Sequence, residues 1–241
     1  RLTKVQASYR LELRKLRIHP RLLKQILYLG IPSGIQNSII ALANLVVQSN
    51  INAFGSMAMA GCGAYSKVEG FAALPVTCFS MALTTFISQN LGAGKYDRVR
   101  KGARFGVLCG MTLTELIGLV LYVTMPVLIS FFNNDPEVIA YGTKQAHIVT
   151  PFYFLMAYSH CTAGIMRGAG KSSVPMFVML LCWCLLRVPY VSLAVHLNPI
   201  IDVVFWAYPI TWTLSGILFF IYYHRADWMH GLERQKERHY R

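Results

Sequence analysis

Charge is scarce in this 241-residue chain: Asp and Glu number 10, Lys and Arg 23, and the four types together make up 14%. A soluble domain of this length ordinarily devotes about a quarter of its residues to charge. Between Gln25 and Ser66 there is none at all. The shortage of acid leaves a formal net charge of +13, but the cations stand in short blocks between charge-free runs and form no continuous basic face. Nucleic acid is thereby excluded as a partner, and anionic lipid headgroups suit the pattern better.

Enzyme signatures are missing too. There is no zinc-binding pair of His at helical spacing, no nucleophile elbow and no dinucleotide fingerprint. Arg167-Gly168-Ala169-Gly170-Lys171-Ser172 is like the end of a phosphate-binding loop, but Ile165 stands where that motif needs its first Gly. The chain reads as a non-enzyme with no cofactor and no metal. Of its six cysteines, five (Cys78, Cys109, Cys161, Cys182 and Cys184) lie inside apolar runs, which reads as reduced packing and not as a disulfide framework. The first residue is Arg, and no leader-like segment follows it, so a piece of a longer polypeptide is expected.

What is present is apolar length. Hydrophobic residues make up 55% of the chain, and the mean hydropathy is +0.44. Runs of about 20 apolar residues are long enough to cross a bilayer. They predict an all-α, polytopic membrane protein of six transmembrane helices near 31–54, 67–91, 105–125, 148–166, 174–197 and 203–223. Residues 1–24 read as a basic cytoplasmic linker, 25–224 as the six-helix bundle and 225–241 as a cytoplasmic tail. The Lys and Arg counts of the segments flanking the spans run 8, 1, 5, 1, 2, 0 and 5, with Arg187 alone inside a span. Positive charge collects on the cytoplasmic side, so the alternation predicts both ends in the cytoplasm of a plasma (inner) membrane. Two turns echo one another, Gly92-Ala93-Gly94-Lys95 and Gly168-Ala169-Gly170-Lys171, each after a span running inward; a weak repeat, or a shared way of ending a helix, gives this pattern.

Polar residues inside the spans mark candidate sites. At 100° per residue, Ser33, Asn37, Asn44 and Gln48 fall within about 60° of one another on the first helix, a stripe suited to lining a cavity or to bonding neighbouring helices. Glu69, Thr77, Ser80, Thr84 and Ser88 make a second stripe, with Glu69 expected in the first, outward turn of its span. Glu115 is expected ten residues, or about 15 Å, into the third span, where a carboxylate must be protonated, paired or hydrated. Arg187, thirteen residues into the fifth span, is its natural partner to consider. Glu115, Glu69 and Arg187 are therefore the ion- or substrate-coupling candidates. His160 reads as a packing histidine. Gly102, Gly106 and Gly110 put small residues on one face and allow close helix approach.

At Gly30-Ile31-Pro32-Ser33-Gly34-Ile35-Gln36, at Leu74-Pro75 through Gln89-Asn90-Leu91-Gly92-Ala93-Gly94-Lys95-Tyr96-Asp97-Arg98, at Arg167-Gly168-Ala169-Gly170-Lys171 and at Arg187-Val188-Pro189, the chain resembles the MATE family of multidrug and toxic compound extrusion antiporters. The resemblance implies the carboxy-terminal half of such a transporter, with an amino-terminal six-helix lobe as partner across a cleft that opens to each side in turn. It implies export of a small organic, often cationic, compound against H+ or Na+. Members with an acidic residue in the middle of the first helix of this half use it in ion binding; here Ile39 and Ile40 stand in that region. A lipid-linked oligosaccharide flippase of the same superfamily is a second reading, for which several cleft cations are expected and only Arg187 offers itself. A non-transporting membrane scaffold is the third.

Overall fold

The computed structural model describes residues 17, 19 and 20–230. Most of the expected basic linker, and the tail beyond His230, lie outside the described residues. Six helical rods follow one another. Helix α1 (Pro20–Asn52) opens with a proline in its first turn, where the missing N–H costs nothing, and carries Pro32 further along. Helix α2 (Ser56–Gly92) contains Pro75 and α3 (Tyr96–Ser130) contains Pro126. The fourth rod is broken: α4 (Pro136–Val149), a 3-10 turn over Thr150–Phe152, then α5 (Tyr153–Gly168). The fifth joins α6 (Ser173–Met179), a π-turn over Leu180–Leu186 and α7 (Arg187–Leu197), and the sixth is α8 (Ile201–Arg225).

The order and number of rods match the expectation, and several boundaries do not. Helix α1 begins at Pro20, inside the segment read as linker, and α2 begins at Ser56, eleven residues before the expected start at Lys67. Lys67 had suggested a loop, but as one charge in a long helix it does not stop hydrogen bonding along the backbone. The fourth rod begins at Pro136, because Asp135 accepts the Glu137 N–H at 2.8 Å and so caps it. Among the described residues, five rods are long and apolar enough to cross a membrane. The exception is the broken one, which is rich in buried polar side chains such as Gln145, Thr150, Ser159 and Thr162.

That polar rod is the centre of the bundle. It packs on α2, α3 and α8, while α1 lies mainly against α6, the π-turn and α7. Buried side chains form three layers. Leu83, Ile87, Val99, Ile165 and Trp228 fill the end that carries the Lys and Arg of residues 95–104; Tyr65, Met125, Tyr153 and Trp212 fill the middle; Val47, Ile51, Val191 and Phe205 fill the other end. Outside, the pattern of a soluble protein is inverted: Phe71 is 75% exposed and Val123 72%. Such a surface is at home in hydrocarbon.

The two echoed turns are the same structure. Lys95 N donates to Asn90 O at 2.9 Å and Lys171 N to Met166 O at 2.8 Å, while Ala93 and Ala169 bond back to Gln89 O and Ile165 O. Every partner is shifted by 76 positions. Gly94 (φ 67°) and Gly170 (φ 76°) take the left-handed conformation that closes such a helix end and that side chains resist. Close approach of α5 to α2 has its own signature. A Cβ added at Gly164 would meet the Ser80 carbonyl, and one at Gly168 the Thr84 carbonyl. The expected small face of α3 is also used, with Gly102 against Phe86, Gly106 against Leu83 and Gly110 against Cys161.

Candidate functional site

Two polar clusters interrupt the apolar interior. The first is centred on Arg187, the first residue after the π-turn. Pro189 cannot supply a backbone donor, and its ring crowds the carbonyl four residues before it, which the widened turn accommodates. The guanidinium is fully buried. It donates to Thr211 Oγ1 through Nε at 3.2 Å and through a terminal nitrogen at 2.5 Å, and reaches Asn44 Oδ1 at 3.5 Å. The rings of Trp183 and Tyr208 each lie 4.8 Å from it, centroid to carbon, so two π faces help to hold the charge.

Glu69 completes this cluster. It is the fourteenth residue of α2, not part of a first turn. Its Oε1 accepts the Tyr65 hydroxyl at 3.3 Å, and that hydroxyl lies 3.0 Å from Tyr153 Oη. Glu69 and Arg187 feel one another's charge, yet among the described residues no direct ion pair joins them. The carboxylate and two phenols thus form one hydrogen-bonded chain across α2 and α5, beside the guanidinium bonded to α8 and α1.

Glu115 lies elsewhere, and the expected partnership with Arg187 is absent. Its Oε2 accepts the Phe154 N–H at 2.9 Å. The break at Thr150–Phe152 starts a new helix there, and the second residue of α5 has a backbone donor with no partner of its own. An acid at a helix start is doubly suited, as acceptor and as charge facing the positive end of the dipole.

The first-helix stripe is divided. Asn44 belongs to the Arg187 cluster, and Gln48 donates to Asn52 Oδ1 at 3.0 Å. Ser33 bonds the Leu29 carbonyl at 3.0 Å, and Asn37 is exposed. Thr84 bridges two helices, with its hydroxyl 2.8 Å from Ser80 O and 3.0 Å from Gly164 O.

The second cluster was not anticipated. Arg167 had been counted with the loop that follows, but it occupies the last turn of α5 and turns into the seam between α1, α2 and α5. It donates to Ser80 Oγ at 2.9 Å and lies 3.5 Å from Gln36 Oε1. The reckoning of a single interior arginine is therefore corrected to two. Gln36, three residues beyond Ser33 and just off the polar stripe, was the sequence signal that could have found it. His160 packs edge-on against Trp183, with ring centroids 5.6 Å apart, as a packing histidine would.

The family model for MatE matches residues 32–193, two thirds of the chain. The chain belongs to the MatE family. The probable multidrug resistance protein YoeA of Bacillus subtilis is 24% identical over 211 residues, a stretch that covers 87% of this chain and 46% of that protein. The FAD transporter of Shewanella oneidensis is 25% identical over 193 residues, covering 80% and 42%. Among solved structures, the Vibrio cholerae MATE transporter VcmN aligns with a TM-score of 0.80 at 21% identity, covering 90% of this chain and 50% of that one. This MatE chain spans about half the length of the relatives it matches. The fold is that of one lobe of a MATE transporter.

Proposed function

We propose that this lobe works with a second six-helix lobe as an antiporter in the plasma membrane, exporting an organic compound against an inward flow of H+ or Na+. Glu69 is the carboxylate that takes the driving ion. The observation that carries this reading is the Glu69 network: an acid in the membrane interior, held by one phenol, within electrostatic reach of a fully buried arginine but not paired with it. Intramembrane acids of this kind are costly and mark ion pathways.

The coupling follows from charge. An ionised Glu69 draws Arg187 towards α2, and in a poorly screened interior that attraction is strong. Once Glu69 holds a proton or Na+, the attraction falls and Arg187 is left to Thr211, to Asn44 and to its two ring faces. Because Asn44 is on α1 and Thr211 on α8, occupancy of one carboxylate changes the balance of contacts between three helices. That is the differential interaction an ion needs in order to shift a population between two open states.

The test is export of an organic dye from vesicles that contain the transporter with both lobes, under an imposed pH or Na+ gradient. Glu69→Gln, which mimics the occupied acid, is expected to lower gradient-driven flux about ten-fold or more while membrane insertion is retained. Unchanged driven flux in that variant would remove Glu69 from the mechanism. The names of the relatives divide between multidrug resistance and FAD transport, so the cargo must be sought in this chain's own interior.

A further inference from the structure

Arg167 has no acid. Its hydrogen-bond partners, Ser80 and Gln36, are neutral, and each is only 4% exposed. Ser80 cannot turn away, because its own proton goes to His160 O at 2.8 Å. The interior acids are engaged elsewhere, Glu69 with Tyr65 and Glu115 with the Phe154 N–H. Among the described residues no carboxylate lies within ion-pair distance of Arg167.

A blander role would be to neutralise the negative end of α5, since Arg167 stands in its last turn. The carbonyls that would need it are already occupied: Ile165 O, Met166 O and Arg167 O accept from Ala169, Lys171 and Gly170. The hydroxyl of Thr84 takes Gly164 O. A guanidinium has five N–H donors in a rigid fork, and the two bonds named above leave most of them open. The side chain is half-buried and not sealed, so a ligand can reach it. A cation partly withdrawn from water, with no acid beside it among the described residues, is costly, and a bidentate oxyanion is the group that relieves it.

The surroundings extend the idea. His160 packs on Trp183, and the face of Trp183 carries Arg187. We propose that Arg167 binds an anionic group, a phosphate or carboxylate, of the transported compound. This deepens the exporter reading, on which it rests, by naming a substrate class: amphiphiles with an anionic head. The same chemistry serves a soluble organic phosphate or a phosphate carried by a lipid.

The test is binding to the transporter with both lobes, in nanodiscs of zwitterionic lipid, using three probes with one ring system: 1-naphthyl phosphate, 1-naphthol and 1-naphthylmethylammonium. The phosphate is expected to bind about ten-fold or more tightly than the alcohol, which corresponds to roughly 1.4 kcal/mol. Arg167→Gln should abolish that preference and leave the ammonium probe unaffected, and Arg167→Lys should restore part of it. A phosphate-to-alcohol ratio unchanged in Arg167→Gln, with or without a lower melting temperature, would overturn the proposal. If Arg167→Gln does not fold, Arg167→Lys and Ser80→Ala decide: both should reduce the ratio, and an unchanged ratio in both again overturns it. Competition by phosphatidic acid added to the nanodiscs would support the site with lipid as the source, and absence of competition would support it with a soluble source. The two readings fail separately. Loss of driven dye flux in Glu69→Gln beside an unchanged ratio in Arg167→Gln keeps the exporter and removes the anion site; the reverse pair of results keeps the site and removes the coupling.

Discussion

Glu115 and Glu69 look alike in the sequence, as lone acids in apolar helices, and their neighbours give them different work. Glu115 caps the internal start of α5 through the Phe154 N–H. A glutamine carbonyl can accept the same bond, whereas leucine cannot. Glu115→Leu is therefore expected to cost about 1–3 kcal/mol, the usual penalty for an unmet donor, and Glu115→Gln considerably less. Thermal unfolding of the two variants in detergent checks this. Equal melting temperatures for the two would contradict the cap. Glu69 has no backbone donor to satisfy, and its phenol partner reads its charge state directly. This contrast was not legible from spacing, because it depends on where α5 begins, and Pro151 gives only a hint of the break.

At the scale of elements, helix ends and helix breaks are set by few residues. The matched turns at Gly94 and Gly170 close α2 and α5 with the same bonds. Alanine at either position forces a Cβ into the left-handed region, and a cost of roughly 1–2 kcal/mol is expected for each. Melting of Gly94→Ala, Gly170→Ala and the double variant measures it; additive losses are expected because the sites share no partner. These turns were readable from the glycines and the lysines behind them, as were the rods themselves from charge-free length. The boundaries were less readable. Lys67 sits on an exposed face of α2 and leaves the helix intact, and the π-turn before Arg187 leaves no periodic mark in a run that is apolar on all sides. Arg167 was missed for a related reason, since a cation next to a glycine cap looks like part of the loop.

The whole molecule is apolar without, and apolar within save for two polar clusters, and it spans about half the length of its relatives. Both polar clusters include a side chain of α1, Asn44 in one and Gln36 in the other. By the rule of positive charge, residues 95–104 are expected at the cytoplasmic end. A single cysteine at Lys101, in a background with the native cysteines replaced, is expected to react with a membrane-impermeant maleimide only when the cytoplasmic side is open to reagent. Labelling from the outside of intact cells would reverse the orientation.

One contact has a practical side. After Arg225 the chain does not leave the bundle: Trp228 is 3% exposed, donates to Tyr223 O at 3.1 Å and packs with Leu83, Ile87 and Ala169 at the basic end. The last helix is thus followed by a plug, and a reporter or purification tag joined at Arg225 would cut it away, opening the very layer that holds the Gly94 and Gly170 turns. A fusion junction belongs beyond His230, where the plug stays with the helices it closes.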